Sequence, residues 1–77
     1  MPRYFFDIVN GGSDIDNEGS ILANFEAARE TAVRIAFDAA ISAPPIDGEH
    51  PAVVTVRDSS GRTIHSVWIQ VCEQAHT

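Results

Sequence analysis

The sequence predicts an α+β domain: ββαββ, a mostly antiparallel four-stranded sheet with one helix packed on one face. Three observations predict it. One long segment, Phe25 to Ile41, lacks Gly and Pro and repeats apolar residues at helical spacing. Short runs rich in β-branched and aromatic residues lie on both sides of it. Those runs are closed by Asn, Gly, Asp and Ser, residues that turn a chain back on itself. Strand hairpins around a single helix form an antiparallel layer rather than a parallel, doubly covered sheet. At 77 residues and 44% hydrophobic content the chain, residues 1–77, is expected to be one globular domain.

The first strand is Arg3 to Val9, with Tyr4, Phe6 and Ile8 on one side and Phe5, Asp7 and Val9 on the other. Apolar bulk on both sides predicts a central strand. Asn10-Gly11-Gly12 ends it, and an acidic stretch runs on to Glu18. The second strand is placed at Gly19 to Leu22. A tight Asn-Gly hairpin returning over Ser13 to Asp16 is the alternative, set aside because Ile15 alone gives it little to bury.

Asn24 is the expected N-cap of the helix, and Glu26 puts negative charge where the helix dipole favours it. Phe25, Ala28, Ala32, Ile35, Ala36 and Ala39 form the predicted buried face. Glu26, Glu30, Arg34 and Asp38 form the solvated row, with Glu30 and Arg34 paired four residues apart. Pro44-Pro45 stops the helix, and Ile46 to Pro51 is a loop. The third strand is Ala52 to Arg57, the turn Asp58 to Arg62 with Gly61 left-handed, and the fourth strand Thr63 to Val71.

The opening Met1-Pro2-Arg3-Tyr4-Phe5-Phe6-Asp7, the Asp16-Asn17-Glu18-Gly19 leading into Leu22 and Glu26-Ala27-Ala28-Arg29, and the turn Asp58-Ser59-Ser60-Gly61-Arg62 resemble a family of short bacterial domains of unknown function. The resemblance covers most of the chain. It implies a small cytoplasmic bacterial protein, and no established active site carries over from it.

Charge narrows the function classes. Five Arg and no Lys stand against eleven Asp plus Glu, a net charge of -6. Phosphate neutralisation by Lys and Arg underlies nucleic-acid and anionic-membrane binding, so both partners are excluded as expectations. Without Lys, neither a Schiff base nor a phosphate-loop lysine can form. No apolar run reaches the roughly 20 residues of a membrane span, no secretory leader is visible at Met1 to Tyr4, and the single Cys72 favours a reducing, cytoplasmic setting.

The most specific local pattern is Asp14-Ile15-Asp16-Asn17-Glu18-Gly19-Ser20-Ile21, which follows the first eight positions of a calcium loop: oxygen ligands at one, three and five, then Gly, then an aliphatic. Asp14, Asp16 and Glu18 are therefore weak metal candidates. Position twelve is Phe25 instead of Glu, and a strand replaces the entering helix, so a solvent-facing acidic connection is the plainer reading. His50, His65, His76 and Cys72 lack zinc-ligand spacing. Asp58, Ser59, Ser60 and His65 can be written as a triad, yet their chemistry is that of a turn. Tyr4, Phe5, Phe6 and Trp68 would make a base-stacking platform, which the charge opposes. No enzyme and no cofactor is expected.

Apolar residues remain that one helix cannot cover. Phe5, Val9, Val67, Ile69 and Val71, or the alternate sheet face with Trp68, together with Val33 and Phe37 on the helix, are the expected interface of a homo-oligomer or of a complex with a protein partner.

Overall fold

The computed structural model describes residues 1–42, 51–71 and 76. Five strands and one helix follow in the order β1 (Arg3–Val9), β2 (Ser13–Asp14), β3 (Ser20–Ile21), α1 (Phe25–Ser42), β4 (Ala52–Arg57) and β5 (Thr63–Ile69). Every pairing is antiparallel, and the sheet runs β2-β1-β4-β5 with β3 also on β1. The fold is α+β as predicted, with one strand more than expected.

The extra strand lies in the acidic stretch. β2 pairs with Ile8 and Val9, β3 with Arg3 and Tyr4, so the rejected hairpin and the favoured longer connection both form, in part. Together they make one interrupted strand along β1. β1 is thereby central, flanked by β4 on its other side.

Asn24 caps α1, its Oδ1 accepting from the Ala27 N–H at 2.9 Å. The helix buries Ala28, Ala32, Ala36 and Ala40. Their small side chains let it lie close on the sheet, over Tyr4, Phe6, Val54 and Val56, with Ile8, Ile35, Ile64, Val67 and Ile69 around this core. Phe25 is not buried with them; it sits 41% exposed with its ring edge-on to His65, centroids 5.4 Å apart. The ion pair of the helix is Arg29 with Glu26 at 2.9 Å, rather than Glu30 with Arg34. That choice keeps the acid in the first turn, next to the helix N-terminus. The helix stop at Pro44-Pro45 and the loop that follows lie outside the described residues.

The Asp58–Arg62 turn forms as predicted. Gly61 has φ 87° and donates to the Asp58 carbonyl at 3.0 Å, while the Asp58 carboxylate accepts from Ser60 and Arg62. A register shift at Val56/Arg57 accompanies it, and β5 ends at Ile69, two residues before the expected Val71.

Candidate functional site

The acidic segment is braced by a compact polar network. Backbone groups alternate sides along a strand, so the even residues of β1 aim theirs toward β2 and β3, as the bond from Leu22 N–H to the Pro2 carbonyl shows. Phe6 falls in the gap between those two short strands. Its N–H is taken by Asp16 Oδ2 at 3.1 Å, while Asp16 Oδ1 accepts from Glu18 N–H and Gly19 N–H at 3.1 and 3.0 Å. Asp16 thus substitutes for the missing ladder partner and folds the turn behind it.

Across the sheet, Arg57 makes a forked contact with Asp7, Nε to Oδ2 at 2.7 Å and Nη2 to Oδ1 at 3.1 Å, and its Nη2 also donates to the Asp16 carbonyl at 2.9 Å. Asp7 Oδ1 accepts the Asp16 N–H at 3.0 Å, and the guanidinium lies over the Phe5 ring at 5.1 Å. Arg3 adds a bond to the Glu18 carbonyl at 2.7 Å. Sequence reading passed over this network because its partners stand 41 and 50 residues apart.

The calcium-loop candidates are not brought together. Among the described residues no group of three or more His, Cys, Asp or Glu side chains converges. Asp16 spends both carboxylate oxygens on backbone N–H groups, and Asp14 lies exposed on β2. The loop has the spacing of a metal site and the bonding of a structural brace. Beside it, a cleft between loop and helix has Phe6, Ile8, Thr31 and Ile35 in its walls.

Two carboxylates in this network titrate low. The Arg57 guanidinium holds Asp7 below the ordinary 3.8, outweighing its partial burial. Burial pushes Asp16 up, and the N–H groups of Gly19, Phe6 and Glu18 more than reverse it, leaving Asp16 low as well. The unfolded chain therefore binds protons more readily than the folded one. Stability supplied by this network is complete above the unfolded value near 3.8 and is lost as the pH falls through the lower folded values. Urea midpoints should hold from pH 7 to 5 and drop between pH 4 and 2.5; an unchanged midpoint across that acid range would contradict the brace.

The second candidate region is the surface that the helix leaves open. Register places Val9, Val53 and Trp68 in one row across the far face, Asp7, Thr55 and Ser66 in the next, and Phe5, Arg57 and Thr63 beyond it. That face is polar in its middle, contrary to the expectation of an apolar layer on both sides. Val67 and Ile69 do not share it with Phe5 and Val9. They pair with Val54 and Ala52 and pack against the core under the helix. The alternate face with Trp68 is the open one. Val71 lies half-buried past the end of β5. The aromatic platform divides likewise, with Tyr4 and Phe6 in the core and Phe5 and Trp68 outside. His65 stands on the helix side against Phe25, away from the Asp58 turn, and His76 is exposed. Cys72 and His50 lie outside the described residues.

Exposed apolar groups lie both along β1 to β3, at Val9, Ile15 and Ile21, and around β5. β5 is an edge strand, with β4 on one side and, among the described residues, no strand on the other. Trp68 is 67% exposed on the far face. On the helix face, Thr31 and Ile35 border the acidic loop beyond β1. Val33 and Phe37, two residues on and about 200° round the helix, therefore face the β5 side. Phe37 is 53% exposed, and Ile41 extends the stripe into solvent.

These features define a small antiparallel α+β domain with one braced edge and one edge that is bare among the described residues. Residues 3–70 match the family model described as Domain of unknown function (DUF6894), and the chain belongs to that family. No curated protein and no solved structure matches it. Among the described residues, no helix is long and apolar enough to cross a membrane.

Proposed function

We propose that this chain is a small non-enzymatic interaction module of the bacterial cytoplasm, acting through the side of the domain bounded by β5. The observation that carries the reading is the coincidence between a strand edge that has no neighbour among the described residues and exposed apolar groups on both of its flanks, Trp68 on one and Phe37, beside the half-buried Val33, on the other. Contiguous apolar surface marks binding sites, and an occupant of this edge would touch the apolar groups of both faces at once. Charge agrees along the strand: the net charge is -6, yet β5 holds no acidic residue. The reading excludes nucleic acid and anionic membrane on the same electrostatic ground.

The test is the native size of the tagged chain in the cells that make it. The wild type should migrate well above its 8.3 kDa mass, and Phe37→Glu/Trp68→Glu at the monomer size. Both positions are exposed, so the double variant should keep its circular dichroism spectrum. A wild type already at monomer size would overturn the proposal.

A further inference from the structure

We infer that the bare edge of β5 takes the same edge of a second copy, in antiparallel register about Val67, so that two sheets join into one with both helices on the same face. The inference rests on the interaction reading above and names its occupant. Backbone polarity carries it. Even residues of β1 aim toward β2 and β3, so Phe5, Asp7 and Val9 aim at β4 and bond with Arg57, Thr55 and Val53. The intervening Ala52, Val54 and Val56 aim at β5 and bond with Ile69, Val67 and His65. Ser66 and Trp68 are left with N–H and C=O groups directed outward.

A strand whose free groups alternate in this way complements a copy of itself turned through a two-fold axis. With Val67 on the axis, Ser66 of each copy faces Trp68 of the other, and the two outward residues of each strand form four N–H···O=C bonds. Ile64 stays out of this pairing because the register shift displaces it. On the far face each indole then lies over the small Ser66 of the other copy. On the near face, Val33 and Phe37 of each copy approach the other's helix.

The usual guards against edge pairing are missing: β5 holds no Lys, no Pro and no inward charge, and its irregularity is confined to the Thr63 end. β5 itself holds no acid, so the two strands of chains with net charge -6 meet without like charges in contact. In this register residues 65 to 69 of the two strands overlap, so five residues at about 3.3 Å each give a strip about 17 Å long, and helix plus sheet make it about 20 Å tall. Two copies would cover about 700 Å² in total, below the range of stable interfaces, which fits a weak dimer that forms only as the protein is concentrated.

The experiment is sedimentation equilibrium of the purified full chain from about 1 μM to 1 mM, alone and as Ser66→Pro and Trp68→Lys. Proline at 66 removes an outward N–H and no ladder bond, so it belongs where edge strands tolerate it. The wild type should dimerise, and each variant should weaken the dimer at least a hundredfold with an unchanged far-ultraviolet spectrum. Should Ser66→Pro unfold, Trp68→Lys decides alone. A dimer that survives both variants and yields to Phe37→Glu would overturn strand pairing while leaving the interaction surface standing. A wild type monomeric at 1 mM, from a chain that runs large in cells, would overturn the second copy as occupant and leave a different protein in its place.

Discussion

Gly19→Ala should cost this domain about 2–4 kcal/mol, enough to lower its melting temperature by about 10–20 °C. Two effects add. Gly19 has φ 73°, a left-handed conformation that an L side chain enters only with strain. A Cβ there would also stand 2.9 Å from the Tyr4 carbonyl oxygen, the Arg3 Cγ and the Phe5 Cε1. Arg3 can swing aside, but the Tyr4 carbonyl belongs to the central strand. The acidic turn would have to lift from β1, taking β3 with it. Total stability for a domain this size is about 4–12 kcal/mol, so the loss is a large share. Thermal unfolding of the variant measures it. A shift under about 3 °C would mean that the turn does not pack on β1 as described.

Asp16→Ala should be nearly as severe, at about 2–3 kcal/mol. Three backbone N–H groups, those of Phe6, Glu18 and Gly19, lose their acceptor together. The Phe6 N–H matters most because it sits on a central strand with no ladder partner there. Bonds to a charged acceptor contribute about 1.5–3 kcal/mol each when buried, and partial exposure of this turn reduces that. Asp16→Asn, which keeps one accepting oxygen, should recover part of the loss. It should also flatten the acid dependence of stability, since one of the low-titrating carboxylates is gone. Equal stability of Asp16→Ala and wild type in urea would show that water replaces the carboxylate at no cost.

The sequence makes the local elements of this fold legible and hides its long-range polar contacts. Helix, N-cap, the third strand and the Gly61 turn follow from residues near one another, where spacing and propensity act directly. The face covered by the helix is a tertiary choice. Val67, Ile69 and Trp68 read equally well on either side until β4 supplies a register, and that register puts the first two in the core and Trp68 outside. Asp7 and Arg57 appear as isolated charges in their own strands, although an Asp in the middle of an aromatic strand signals that a cation stands opposite. Asp16 was the hardest to read. Its Asp-x-Asp-x-Glu-Gly setting matches a calcium loop because both uses need carboxylate oxygens turned inward by a tight bend. Only the neighbouring N–H groups distinguish them, and those belong to β1.

The interface surface was legible in kind and not in location. Counting apolar side chains predicts that one helix cannot cover them all, and Phe37 and Trp68 do stay exposed, with Val33 half-buried. The expected driving force, apolar bulk across the far face, is interrupted, because Asp7, Thr55 and Ser66 occupy its middle. The proposed surface lies instead along β5, where outward backbone groups and exposed apolar side chains stand on one line.

Amide hydrogen exchange along β5, followed from low to high protein concentration, tests this account most directly. His65 and Val67, bonded to β4, should be protected at every concentration. Ser66 and Trp68 should exchange freely in dilute solution and slow at least tenfold as the protein is concentrated. Rapid exchange of Ser66 and Trp68 at every concentration, in a chain whose His65 and Val67 stay protected, would contradict pairing at this edge.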